Sequence, residues 1–363
     1  MRAAVLNRIG DTELTVRHDV TTTSFGPGRV RVRLHRAGLC HSDLSIMNGV
    51  LPHPAPCVPG HEGAGEVVEV GPGVKNVKVG DRVLVLWLPP CGRCPHCVRG
   101  EGHLCPAGFR NVGTPGFEVD GAPIPGMMGE GTFADEVVIP ANAAVPIPDD
   151  LPYDLAALIG CGVTTGIGAA LNTAKIEPGS TVVVIGVGGV GASIVQGARI
   201  SGASCIVAVD PVANRREWAL KLGATEAIAP EDLAETTKRL TGRVGFDYAF
   251  EAVGRPATFR TAFSAARRGG MVVLVGGGSN SDDCGLTMGE LLAGAKSIMP
   301  SIFAGDDVLR TFTTIIDLWR AGLLDLESMI THHVGLTDIN TAIQQMRTGE
   351  ALRTIIDITE AQP

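Results

Sequence analysis

Cys91, Cys94, Cys97 and Cys105 follow one another at spacings of three, three and eight residues inside one glycine- and proline-rich stretch. Thiolates this close do not easily form two unstrained disulfides, but they can converge on one tetrahedral zinc. Zinc with four sulfur ligands has no position left for a substrate, so the stretch reads as a structural zinc staple. Any chemistry then needs a second ligand set elsewhere. Reduced cysteines that bind nothing, or a redox Cys-x-x-Cys pair, are the competing readings; the pair accounts for only two of the four.

Three further candidates for that second set are Cys40, the His61-Glu62 pair and Cys161. Two thiolates and one imidazole leave the fourth position of a zinc for water or an alkoxide. Zinc there lowers the pKa of a bound alcohol and polarises an aldehyde in the reverse direction. Spacing alone does not unite these residues. Cys161, between two glycines, also suits a small buried side chain, and His61 a hydrogen-bonded polar one.

A third constellation is Gly186-Val-Gly188-Gly189-Val190-Gly191, placed directly after the apolar run Thr181-Val-Val-Val-Ile185. The first glycine allows a tight turn, the second a close approach of backbone to a pyrophosphate, and the last close helix–strand packing. Asp210 ends the next apolar run, 19 residues after Gly191. A carboxylate there binds both adenosine ribose hydroxyls and repels a 2′-phosphate, which favours NAD over NADP, although Arg215 and Arg216 soften that preference. The competing reading of Asp210 is a helix N-cap.

These residues need two kinds of frame. Arg29-Val-Arg-Val-Arg-Leu34 alternates with period two, as a half-buried strand does, and Glu66–Val70 and Asp81–Leu86 read as further strands. Pro140 to Pro152 holds four prolines and two aspartates and suggests a crossing between regions. From Thr181 onward, apolar runs at 181–185, 205–209, near 227, 247–250, 271–275 and around 298 alternate with helical stretches. Continuous apolar strands belong to parallel sheets covered on both faces, so six of them make a doubly wound α/β domain. Beyond about Phe303, helical segments lead to Thr354-Ile-Ile-Asp-Ile358, a strand expected to return to the first domain.

With 363 residues, the chain is comfortable for two domains; 45% hydrophobic and 19% charged residues describe a globular protein. Net charge is −8 and no run of Lys/Arg exceeds a pair, which disfavours a nucleic-acid surface. No stretch offers about 18 uninterrupted apolar residues, and the N-terminal apolar run is too short for a signal peptide, so no membrane role is expected. Nine cysteines, mostly at metal-like spacings, fit a reducing cytoplasm.

The chain resembles the zinc-dependent medium-chain alcohol dehydrogenases over nearly its full length. The resemblance is carried by Gly38-Leu39-Cys40-His41-Ser42-Asp43, Gly60-His61-Glu62-Gly63-Ala64-Gly65 and the four-cysteine lobe. Ile159-Gly-Cys161-Gly-Val-Thr-Thr165-Gly166, Gly186 to Gly191 and Leu352-Arg353-Thr354-Ile355 complete it. The form Gly-Cys-Gly-Val-Thr-Thr-Gly is closer to the dimeric class I and class III branch than to the tetrameric yeast-like one. The resemblance implies a GroES-like β-rich catalytic domain at 1–162 with the zinc lobe near 91–105. It also implies a Rossmann NAD-binding domain at 163–302, a return to the catalytic domain at 303–363, and a homodimer.

By the same resemblance each chain carries two zinc ions and uses NAD to oxidise small or medium primary alcohols reversibly to aldehydes. Cys40, His61 and Cys161 then hold the catalytic zinc, with Glu62 close behind it. Asp43 orients the ligand histidine and Ser42 takes the alcohol proton. His41 and Arg353 match pyrophosphate contacts, Arg215 an adenosine-ribose contact, and Thr165 and Val190 contacts behind the nicotinamide. Trp87 matches a substrate wall, and Leu51, Met127, Met128 and Ile302 are further pocket candidates. Two departures stand out. Many relatives have a histidine three residues after the serine, where this chain has Ser45, so the proton relay is expected to end at Ser45, the cofactor ribose or water. Leu51-Pro52-His53-Pro54 lacks the acidic residues of glutathione-dependent formaldehyde dehydrogenases, which argues against glutathione adducts and leaves another thiol, of the mycothiol type, as the alternative.

Overall fold

The alternating run at Arg29 does form a strand, and it is longer than its pattern, Arg29–Leu39, with Val30, Val32 and Leu34 fully buried. In the computed structural model, which describes residues 1–23 and 25–359, this strand is central to a seven-stranded sheet. It pairs antiparallel with Glu62–Val70, with Glu136–Pro140 and with Arg353–Asp357. The strand at Glu62–Val70 starts earlier than its apolar signal because Gly63 and Gly65 open it. A Cβ on Gly65 would lie 2.0 Å from the Arg33 carbonyl oxygen, so glycine is kept by closeness rather than by strand propensity.

The chain divides into two compact units, Met1–Cys161 with Ile330–Pro363, and Gly162–Met329. Two expectations about the division are corrected. Pro140 to Pro152 is no crossing: it stays in the first unit and supplies Ala144–Pro146, the strand at one edge of the sheet, where proline is tolerated. The passage falls instead within the helical stretch Tyr153–Thr173. By length and composition that stretch is the one candidate membrane span among the described residues, yet 78% of its window is buried inside the protein, as in a core helix.

The second correction concerns the return. Residues 303 to 329 belong to the second unit, not to the returning segment. Side chains tie them there: Asn172 Nδ2 donates to the Ala304 carbonyl at 2.7 Å and to Thr311 Oγ1 at 3.0 Å. Gln196 and the Asp325 backbone exchange two hydrogen bonds of 2.8 and 2.9 Å. The return begins with Ile330–Gly335, a strand the sequence pattern did not reveal, which pairs parallel with Arg353–Asp357.

The second unit holds the six parallel strands. Numbered along the chain from Thr181–Ile185, their order is 3-2-1-4-5-6, that of the doubly wound dinucleotide-binding fold. Thr181–Ile185 and Cys205–Val209 have the bounds their apolar runs imply. Such a fold places ligands beyond the carboxyl ends of its strands, where order reverses between the first and fourth.

Candidate active site

Cys40 directly follows the central strand and stands at the N-terminus of the helix His41–Met47. Asp43, in the first turn of that helix, folds back. Its Oδ2 accepts from the Cys40 backbone N–H at 2.9 Å and its Oδ1 from the Gly60 N–H at 3.1 Å. The same Oδ1 lies 3.3 Å from His61 Nδ1. One carboxylate, 1% exposed, thus fixes two ligand-bearing segments that are far apart in sequence. With Nδ1 facing a carboxylate, the lone pair of the neutral ring is on Nε2. Nε2 is buried and has no hydrogen-bond partner.

Cys161 reaches the same place from another element. It lies in the π-helical turn Ile159–Val163, a widened turn of the kind that recurs at functional sites. Ligand atoms of Cys40, His61, Glu62 and Cys161 all lie within 4.8 Å of one another. The neighbouring Cys161 thiol holds Cys40 well below the usual thiol range against the effect of burial, and Cys40 together with burial pushes Cys161 up. Burial opposes charging of His61, yet Asp43 and Cys40 hold it well above its ordinary value. Zinc bonds of about 2.0–2.3 Å in a tetrahedron set ligand atoms about 3.3–3.8 Å apart. Two sulfurs and an imidazole nitrogen with an unclaimed lone pair fit such an ion.

Behind them, fully buried Glu62 pairs through Oε2 with Arg353 Nη2, and burial pushes its carboxyl up to about 7 despite that guanidinium. Gly38 makes the pair sterically feasible, because a Cβ there would sit 2.0 Å from Glu62 Oε2. Ser42 Oγ is 3.7 Å from Cys40 Sγ, while His41 beside it is exposed.

The four-cysteine lobe fits a second zinc. Cys91 and Cys97 sulfurs are 4.0 Å apart, and those of Cys94 and Cys105 3.8 Å, close to tetrahedral edges. Backbone N–H groups of Arg93 and Cys94 draw the Cys91 thiol down to about 6, so it reaches the thiolate form a metal requires.

In the second unit the glycine turn has the form a pyrophosphate needs. Gly186 has φ +93°, and a Cβ on Gly191 would lie 1.9 Å from the Gly186 carbonyl oxygen. A Cβ on Gly188 would meet nothing within 4 Å and would only fill the cradle. Asp210 is 2% exposed; its Oδ2 accepts from the Val187 N–H and its Oδ1 from the Val212 N–H, so it also braces the turn. Arg215 Nη1 is 3.8 Å from Asp210, whereas Arg216 donates to the Asp210 and Pro211 carbonyls. The helix that carries Thr165 packs closely on the one that carries Val190 because Gly166 has no side chain: a Cβ there would meet the Val190 carbonyl oxygen at 2.4 Å.

Comparison with known proteins agrees with this geometry. The family model for the alcohol dehydrogenase GroES-like domain matches residues 26–149, and that for the zinc-binding dehydrogenase matches residues 189–319. Alcohol dehydrogenase class-3 of Cereibacter sphaeroides is 36% identical over 348 residues, covering 91% of this chain and 92% of that one. The chain belongs to the zinc-dependent medium-chain alcohol dehydrogenases. An S-(hydroxymethyl)glutathione dehydrogenase of Paracoccus denitrificans is 35% identical over 347 residues, with the same 91% and 92% covered. The solved benzyl alcohol dehydrogenase of Acinetobacter calcoaceticus superposes with a TM-score of 0.90 at 29% identity, over 99% of both chains. Zinc and NAD are the cofactors of this dehydrogenase.

The remaining residues expected at the site of this dehydrogenase fall unevenly. Trp87 is half-buried, with the Phe109 ring edge-on at 6.3 Å. Leu51 and Met128 are partly buried against the first unit's core, and Met128 has a left-handed backbone, φ 55°. Ile302, in the second unit, is 43% exposed. Met127 is corrected: it is 0% exposed inside the core and has no face for a substrate. Ser45 is buried, its carbonyl accepting from the Val50 and Leu51 N–H groups. Arg353, expected at a pyrophosphate, is 4% exposed and directs Nη2 to Glu62. Sequence reading missed Phe109, whose only signal is that it follows the cysteine lobe closely, and it missed the Glu62–Arg353 pair, whose members are 291 residues apart.

Proposed function

We propose that this dehydrogenase oxidises small and medium primary alcohols to aldehydes, reversibly, with NAD at the Cys40–His61–Cys161 site. The observation that supports this most directly is the buried, unpartnered Nε2 of His61, held by Asp43 beside two thiols. A zinc held by these three residues would supply the acidity of the alcohol hydroxyl. Ser42, on the first turn after Cys40, accepts that proton. Asp43 takes the Nδ1 side of the imidazole, which directs Nε2 to the two thiols and fixes the ring, and Arg353 offsets the Glu62 charge in the buried space beside them. With Ser45 rather than histidine on the inner face of the helix, the relay ends at Ser45, the cofactor ribose or water. His41 contacts the pyrophosphate, Arg215 the adenosine ribose, and Thr165 and Val190 back the nicotinamide.

The edge-on pair of Trp87 and Phe109 supports a pocket for flat or unbranched alcohols, and the likeness to a benzyl alcohol dehydrogenase supports the same class. A second reading, oxidation of the S-hydroxymethyl adduct of formaldehyde with a thiol, is favoured by relatives named for that reaction. The uncharged Leu51–Pro54 stretch favours the alcohol. Steady-state rates with ethanol, hexanol and benzyl alcohol, set beside formaldehyde with and without glutathione or mycothiol, decide. Thiol-dependent turnover of formaldehyde exceeding every alcohol would replace the first reading with the second.

We also propose a homodimer that works in a reducing cytoplasm. The last strand of the parallel sheet, Ser297–Pro300, is an open edge among the described residues. Met288 and Leu292, each 84% exposed, stand on the preceding helix, Met288–Gly294. An open edge beside exposed large apolar side chains is a self-association surface. Sedimentation of wild type and Leu292→Glu tests it, with a shift toward monomer expected in the variant.

A further inference from the structure

Glu251 ends the fourth strand of the parallel sheet, where it pairs with Ile185 just before the glycine turn. It is 0% exposed, and nothing in the chemistry above uses it. Three donors converge on its Oε1: the backbone N–H groups of Val253 and Gly254 at 2.9 and 2.8 Å, and Thr258 Oγ1 at 2.7 Å. The carboxylate thereby folds the Ala252–Gly254 loop over the strand end. The Ala252 N–H donates to the Ile185 carbonyl at 2.9 Å, which ties the loop to the neighbouring strand. Val253 then lies against the turn, since a Cβ on Gly186 would meet Val253 Cγ2 at 2.5 Å.

A second loop is tied to the same residue, whose backbone carbonyl accepts from the Val275 and Gly276 N–H groups at 2.9 and 3.0 Å. A Cβ on Gly276 would lie 2.7 Å from Glu251 Oε2 and 2.1 Å from the Gly254 nitrogen. Two loops from adjacent strands therefore pack backbone to backbone above this carboxylate. Buried carboxylates that accept several backbone N–H bonds are strong local organisers, because their loss strands the donors in a dry interior.

We propose that Glu251 is a positioning residue for the dinucleotide. It holds Ala252–Gly254 against Gly186, so that the crevice at the strand ends is built before the cofactor arrives. The inference rests on the NAD reading of the glycine turn. If loss of the clamp leaves the loop in its binding arrangement about a tenth of the time, apparent cofactor affinity weakens about tenfold.

The test uses NADH fluorescence titration of the full-length zinc enzyme, together with KM for NAD, kcat at saturating NAD, and Tm. Glu251→Asp keeps the charge but withdraws the acceptor by one methylene; Glu251→Ala removes both; Glu251→Gln keeps an acceptor. The expected result is an NADH Kd and a KM for NAD raised about tenfold in the Asp and Ala variants, with kcat changed less than about threefold, and recovery toward wild type in Gln. If the Ala variant does not fold, the Asp variant decides. Variants that lose Tm but bind NADH within about twofold of wild type overturn the positioning role. A Gln variant as weak as Ala also overturns it, since charge and not acceptor geometry would then be at work. A wild-type chain that fails to bind NADH refutes the dinucleotide reading itself.

Discussion

Asp43→Asn isolates what one buried carboxylate does for the metal site. Asp43 accepts from three groups, the Cys40 N–H, the Gly60 N–H and His61 Nδ1, at 2.9, 3.1 and 3.3 Å. Asparagine fills the same volume but has only one acceptor oxygen. Its amide N–H₂ must then face a donor, and at least one buried N–H loses its partner, which costs about 1–3 kcal/mol. His61 also loses the charge that fixes its tautomer and ring direction, an effect that lowers metal affinity or activity by about 10–100-fold. That range corresponds to about 1.4–2.7 kcal/mol. The assay is competition of a graded chelator series for zinc, read by metal analysis beside kcat/KM for a primary alcohol. The catalytic zinc should leave at a lower chelator strength while the lobe zinc stays, because Cys91, Cys94, Cys97 and Cys105 share no partner with Asp43 among the hydrogen bonds of the described residues. A variant whose two zinc ions leave together, at wild-type chelator strength, would refute the orienting role.

Cys97→Ser should cost mainly thermal stability and one zinc, whereas Cys40→Ser should abolish turnover in a protein that still folds; unchanged Tm and zinc content in Cys97→Ser would end the staple reading. Asp210→Ala should raise KM for NAD by about tenfold or more and narrow the NAD/NADP ratio of kcat/KM, because the carboxylate that repels a 2′-phosphate is gone and the Val187 N–H is left unpaired. Glu130 is 1% exposed, and burial raises its carboxyl well above the usual range even with His61 and Arg29 nearby. An acid with a raised folded-state pKa contributes stability below its unfolded value, about 4.3, and loses that contribution as pH rises toward the folded one. Glu130→Gln should therefore melt higher than wild type at pH 8, with the gap closing near pH 4; equal melting curves across that window would contradict it.

How far the sequence could be read depended on which interaction each feature expresses. The parallel sheet was legible because its strands are buried on both faces, so burial writes itself into runs such as Thr181–Ile185. The strand Ile330–Gly335 was not, since its residues are only partly buried and include His332 and His333. Its place is settled by pairing with Arg353–Asp357, which local pattern does not encode. The convergence of the four cysteines was legible because they share one loop. The second ligand set was not legible from spacing, since Asp43 joins Cys40 to His61 through space and a widened helical turn brings Cys161 to them. Resemblance supplied that union, but it also misplaced Met127 in the pocket, because a family motif records which position a residue holds and not which way its side chain faces once Gly126–Gly131 folds around it. The clamps least visible in sequence, Glu62 with Arg353 and Glu251 beneath its loops, have a shared cause. Each is a buried carboxylate whose partners are backbone or distant in the chain, and room for it comes from an absent side chain, Gly38 in one case and Gly276 in the other. A glycine with no turn to make is thus the one sequence trace such a clamp leaves, and it becomes readable only when the carboxylate it makes room for is known.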